Sequence, residues 1–188
     1  MPRPQAVTIE LAGIRLTDAD SGQPVRLAEI GGVQVLVLLR HRHCLPCQQH
    51  LVQVHDAADA AGAGAHSAAG ARPGLILVGF SPPGPLAAIA RHLGWPGLVL
   101  SDPDRLLYRR LGVGRAPLWR VYSPGTLATY AAALARGQRL ARPTEDTRQL
   151  GADAVMVHGV VRRLWQPRTP DDRPQAAGVI AAARAWAG

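Results

Sequence analysis

Cys44 and Cys47 are the only cysteines among the 188 residues. Any disulfide within the chain must join them. Closing so small a loop contributes only about 2 kcal/mol, a poor staple for a chain long enough to bury a sizeable core. The pair is therefore read as chemical rather than structural. A dithiol at this spacing can attack an electrophile with one sulfur and close a disulfide with the other.

The elements around the pair decide which sulfur is activated. Val33 to Leu39 is short, β-branched and apolar, as suits a strand buried on both faces. Arg40-His41-Arg42-His43 breaks it. After Cys44-Leu45-Pro46-Cys47 a helix is expected through Ala61, with Leu51, Val54, Ala58 and Ala61 on one face. Pro46 suits the first turn, where a missing N–H costs nothing. Cys44 then meets unpaired backbone N–H groups and the positive end of the helix dipole. The dipole supplies roughly 0.3–1 kcal/mol, up to about 2 in a sheltered site, which lowers a thiol pKa of about 8.5 by about one unit. Upstream cations would lower it further. The expectation is an ionised, reachable Cys44 that attacks, and a Cys47 one turn further in that resolves.

A second chemistry competes for the same residues. His41-x-His43-Cys44-x-x-Cys47-x-x-His50 brings three imidazoles to two thiols, enough donors for tetrahedral zinc. One local cluster seldom wraps a metal, however, and His50 and His55 fall on the helix. A non-catalytic binding role on the same fold is the third reading. The cofactor expectation is none beyond the Cys44–Cys47 disulfide and an external thiol.

Composition narrows the classes. Hydrophobic residues make up 47%, which excludes a disordered chain. The net charge is +8 with 21 basic residues, every one an arginine. They are scattered and aromatics are only 4%, so no stacking platform for nucleic acid is expected. No apolar run approaches a membrane span, and Met1 to Gln5 leads into an alternating Val7–Leu11 instead of a signal core. One domain over 1–188 and a cytoplasmic location are expected.

The remaining elements follow in order. Val7–Leu11 reads as a strand, and Ile14–Asp18 with Val25–Leu27 as a hairpin. Gly62-x-Gly64 follows a helix, so it reads as a loop and not a dinucleotide fingerprint. Gly74–Phe80 is a second buried strand, with a helix entered at Ser81-Pro82-Pro83 and a third strand at Leu98–Leu100. Asp102 to Asp104 would cap a helix over Arg105–Leu111. Ser123-Pro124 opens a helix over Gly125–Arg136, with Ser123 as its cap. Gln138 to Leu150 reads as a polar surface loop. Ala154–Val157 and Val160–Trp165 form a hairpin turning at His158-Gly159, and Pro174 starts an amphipathic last helix. Strands alternating with helices imply parallel pairing. Asp153 is expected at a solvated strand edge, with a buried carboxylate that helps proton transfer to Cys47 as the other reading. Trp95, Trp119, Trp165 and Trp186 are expected as core or interface anchors, the latter compatible with a homodimer.

Several stretches resemble the peroxiredoxin-like branch of the alkyl hydroperoxide reductase/thiol-specific antioxidant family. These are Val35–Arg40 into Cys44-x-x-Cys47, Leu98–Asp104 into Leu107-Tyr108, and Gly112-Val113-Gly114-Arg115. Gln149-Leu150-Gly151 and Asp171-Asp172-Arg173-Pro174 also match. The resemblance implies an α/β thioredoxin-like fold, a central mixed sheet flanked by helices with an N-terminal β-hairpin. It also implies reduction of hydroperoxides or small disulfides, regeneration by a thioredoxin-like or low-molecular-weight thiol, and a cation near the thiolate. Arg115 is the candidate for that cation, with Arg120 second. The family's Pro-x-x-x-Thr-x-x-Cys falls here on Val37 and His41, so the hydroxyl that would orient a peroxide is absent. Where thioredoxins place a cis-proline, this chain has Gly151-Ala152.

Overall fold

The computed structural model describes residues 1–62 and 73–187. Its strands are β1 (Gln5–Glu10), β2 (Arg15–Asp18), β3 (Pro24–Arg26), β4 (Val33–Leu38), β5 (Gly74–Gly79), β6 (Leu98–Ser101), β7 (Ala152–Val157) and β8 (Val160–Trp165). The helices are α1 (Leu45–Ala60), α2 (Pro83–His92), α3 (Leu106–Arg110), α4 (Leu118–Val121), α5 (Pro124–Ala135) and α6 (Ala176–Ala187). The strands form one sheet in the order β1-β8-β7-β4-β5-β6-β2-β3. Its centre, β4-β5-β6, is parallel, and β7 runs antiparallel to β4. The β2–β3 hairpin extends one edge through β6, while β1 closes the other against β8. The sheet is therefore mixed, with the expected N-terminal hairpin, and the chain has a thioredoxin-like fold.

Strand alternation explains the two cores. Val33, Val35 and Val37 face α1, α2 and α6, packing with Leu51, Val54, Leu86, Val179 and Ile180. Leu36 and Leu38 face the opposite layer, with Leu100, Leu107 and Tyr108. Both faces of β4 are thus covered, which is why its sequence is apolar almost throughout. Tyr108 is fully buried and donates its hydroxyl to the carbonyls of Leu39 (2.6 Å) and Val78 (3.2 Å). It ties α3 to the end of β4, which leads into the cysteine turn, and to the end of its neighbour β5.

The short α4 has no counterpart in the sequence reading. Of the tryptophans, Trp95 and Trp165 are buried, whereas Trp119 is 70% exposed and Trp186 46% exposed. Helix α1 runs to Ala60, and Gly64 of the Gly62-x-Gly64 stretch lies outside the described residues. Among the described residues, no helix is long and apolar enough to cross a membrane.

Candidate active site

The turn from β4 into α1 is built as its residue types suggest. Cys44 is the N-cap of α1, with extended backbone angles, and Pro46 sits in the first turn. Cys44 carbonyl oxygen accepts from Gln48 N at 3.0 Å. The Leu45 N–H, one of the orphan donors of a helix start, is taken by the Tyr130 hydroxyl oxygen at 3.3 Å. The two sulfurs lie 2.6 Å apart, well within reach of a bond.

The sulfurs are not open to solvent. Cys44 is 0% exposed and Cys47 is 1% exposed, against the expectation of a reachable Cys44. Two elements bond to the turn that carries them. Tyr130 comes from α5, and the 144–147 stretch, read from sequence as a polar surface loop, folds back as a clamp. Arg40 Nε donates to the Thr147 carbonyl at 3.0 Å. Arg42 donates from its backbone N and from Nη1 to the Glu145 carboxylate, at 3.0 and 2.8 Å. Glu145 also accepts from the Ser81 hydroxyl.

The cations on the sulfurs differ from the one expected. Arg115 is half-exposed and bound to Asp146 at 2.9 Å, while Arg120 lies over the exposed Trp119 ring. The guanidiniums at the dithiol are Arg40, with Nη1 3.8 Å from Cys44 Sγ, and Arg173, with Nη2 3.5 Å from Cys47 Sγ. Arg173 precedes α6 and also donates to the Leu38 carbonyl at 3.1 Å and to Asp153 Oδ2 at 3.1 Å. Asp153 is fully buried, not solvated at a strand edge, and its Oδ1 is 2.7 Å from His50 Nε2.

This surrounding reverses the expected ionisation. Burial pushes the Cys44 thiol well up, and the hydrogen bond and charge shared with Cys47 push it further, against Arg40. Burial would raise Cys47 as well, but the hydrogen bond with Cys44 and the Arg173 guanidinium outweigh it and hold Cys47 well below the usual thiol range. The sequence argument saw only the helix dipole, and desolvation of a fully buried thiol is the larger effect. Burial also lowers His41 to about 3, helped by Arg40, His43 and Arg42, so its imidazole is neutral. Asp153 is held below the ordinary carboxylate range because His50 and Arg173 outweigh its burial.

The three imidazoles do not gather on the sulfurs. His50 turns to Asp153, and His43 Nε2 accepts from Arg42 Nε at 3.3 Å. Among the described residues no group of three or more His, Cys, Asp or Glu side chains is placed to hold a metal ion. Ser123 caps α5 by accepting from Thr126 N at 3.2 Å and also bonds to Asp171. A cavity of about 330 Å³ is lined by Arg40, His41, Tyr122, Leu127, Tyr130 and Leu140. Arg40 and Tyr130, which meet Cys44 Sγ and Leu45 N, thus also face this cavity.

Solved structures share this arrangement of elements. A Xanthomonas campestris bacterioferritin comigratory protein, described for alkyl peroxide reduction, superposes with a TM-score of 0.63 at 15% identity, covering 98% of this chain and 100% of that one. A Mycobacterium tuberculosis peroxidoxin, BcpB, gives 0.63 at 17% identity over 96% and 97% of the two chains. A thiol peroxidase from Chromobacterium violaceum gives 0.59 at 14% identity over 97% and 86%. No family model matches the sequence, and no curated protein matches it in sequence. What the chain shares with these proteins is the fold.

Proposed function

We propose that this chain is a peroxiredoxin-like thiol oxidoreductase that cycles between a Cys44/Cys47 dithiol and a Cys44–Cys47 disulfide. The observation that carries the reading is two thiols 2.6 Å apart at a helix N-terminus, each against a buried guanidinium. The resemblance to peroxiredoxins supports it. With a hydroperoxide, a thiolate attacks the outer oxygen. An S–O bond forms, the O–O bond breaks, and the alcohol leaves after taking a proton. The second sulfur attacks the sulfenic acid, an S–S bond forms, and water leaves. With a small disulfide, the thiolate displaces one thiol and the partner sulfur displaces the other. Two thiol equivalents from a thioredoxin-like or low-molecular-weight reductant restore the dithiol. A reducing cytoplasm would hold the resting pair reduced.

The burial of both sulfurs makes local opening of the turn, to which Tyr130 and the 144–147 stretch bond, part of the cycle, and the cavity beside Arg40 the approach to it. With His41 where the family has threonine, disulfide exchange is the stronger half of the activity. Stopped-flow oxidation of the reduced protein by hydrogen peroxide, an alkyl hydroperoxide and a small disulfide tests this. The expected result is a Cys44–Cys47 disulfide in every oxidised product, formed fastest with the disulfide. Sulfurs inert to all three oxidants in a folded protein would overturn the reading.

A further inference from the structure

Beyond the two sulfurs lies a buried chain of polar groups that a dithiol cycle does not by itself require. Arg173 is 8% exposed, and its guanidinium is held by the Leu38 carbonyl and Asp153 Oδ2, both at 3.1 Å, with Cys47 Sγ at 3.5 Å. A planar guanidinium fixed at several acceptors has one orientation. Gly151 makes the passage: a Cβ there would collide with the Leu38 carbonyl oxygen and the Arg173 guanidinium. Asp153, 0% exposed, places its other oxygen 2.7 Å from His50 Nε2. The remaining ring nitrogen of His50 is buried and has no partner among the described residues, and His50 borders a cavity of about 660 Å³ with Pro46, Gln53 and Arg173.

The two sulfurs are served unequally. Arg40 stands farther from its sulfur, at 3.8 Å, and its Nε is committed to the Thr147 carbonyl. His41, a neutral imidazole, adjoins Cys44, and Tyr108 from α3 and Tyr130 from α5 also approach the pair. Burial raises both tyrosines, and they stay protonated at neutral pH.

We propose that Arg173 fixes the negative charge of the reduced pair on Cys47, with Gly151, Asp153 and His50 as positioning residues that admit and aim its guanidinium. The proposal rests on the dithiol reading above. It makes Cys47 the resting thiolate and Cys44 the thiol, the reverse of the order expected from the helix start.

The test follows the Cβ resonances of both cysteines in the reduced protein, by carbon-13 NMR, across the pH range. Cys47 is expected to deprotonate before Cys44. Arg173→Met should raise the Cys47 midpoint by about 1–3 pH units, and Arg173→Lys should recover part of that shift, which a merely structural role would not. Deprotonation of Cys44 first in the unmodified protein overturns the proposal without any variant. An unmoved Cys47 midpoint in a folded Arg173→Met protein does the same. The titration needs only reduced protein, so it stands apart from the dithiol reading, which falls only if oxidation yields no Cys44–Cys47 disulfide.

Discussion

His41 is the side chain whose protonation bears most directly on the cysteine turn. Its folded pKa is lowered to about 3 from the ordinary value of 6.5, by burial first and then by Arg40, His43 and Arg42. The unfolded chain therefore binds a proton that the folded one refuses between about pH 6.5 and pH 3. Stability from this residue is fully present above pH 6.5 and is lost as pH falls, levelling off below about pH 3. At about 1.4 kcal/mol per unit, the loss is at most about 4–5 kcal/mol. Urea unfolding at pH 7 and pH 4 should show a smaller acid loss in His41→Gln than in the unmodified protein. Equal losses in the two would mean that His41 titrates normally when folded. Gly151 supports a second residue-scale prediction. Gly151→Ala drives a Cβ into the Leu38 carbonyl oxygen and the Arg173 guanidinium. The expected cost is about 1–3 kcal/mol, with slower formation of the Cys44–Cys47 disulfide at neutral pH, measured by denaturant unfolding and thiol-trapping rates.

Among the elements, α3 has the clearest single link to the site. Tyr108→Phe would orphan the Leu39 carbonyl, whose only hydrogen bond among the described residues is from that hydroxyl. Leaving a buried acceptor unmet costs about 1–3 kcal/mol, and hydrogen exchange at Arg40 to Cys44 should quicken, because the end of β4 loses its anchor. A loss below about 0.5 kcal/mol would show the carbonyl finding another donor. This level also separates what the sequence could disclose from what it could not. Strands β4, β5 and β7–β8, the β2–β3 hairpin and the start of α1 were legible because each is written in a few neighbouring residues, as alternation, turn dipeptides or a proline in the first turn. The site around Cys44 and Cys47 was not. Arg173 meets Cys47 across 126 positions and Arg40 meets Thr147 across 107. With 21 basic residues, all arginine, no local pattern singles out those two; the family-like loop points to Arg115, which lies on Asp146 instead. Asp153 carried a usable signal: a carboxylate inside a strand covered on both faces needs a buried cation, and the pairing could have been sought. Helix α4, opened by Pro117 and only four residues long, is too short for periodicity to reveal.

At the scale of the whole molecule, the buried charges around the dithiol balance in only one redox state. Reduced, the cluster holds the Arg40 and Arg173 guanidiniums against the Asp153 carboxylate and one thiolate. Oxidation removes the thiolate and leaves two cations facing one anion in a buried site. Breaking a buried ion pair costs about 3–5 kcal/mol, whereas closing so small a loop returns only about 2 kcal/mol. The disulfide form should therefore be the less stable one, by about 1–3 kcal/mol, the reverse of what a structural disulfide does. Linkage ties that difference to redox poise. At about 30 mV per 1.4 kcal/mol, folding raises the potential of the Cys44–Cys47 couple by tens of millivolts, out of the range below about −300 mV typical of structural disulfides. Parallel urea titrations of the oxidised and reduced protein, with a glutathione equilibrium titration of the couple, measure both quantities. The expected outcome is an earlier urea midpoint for the oxidised protein and a potential less negative than about −300 mV. Arg173→Met should narrow the stability gap, because the oxidised form then carries one fewer unpaired cation. An oxidised protein more stable than the reduced one would mean that the thiolate is not the counter-ion on which this buried cluster depends.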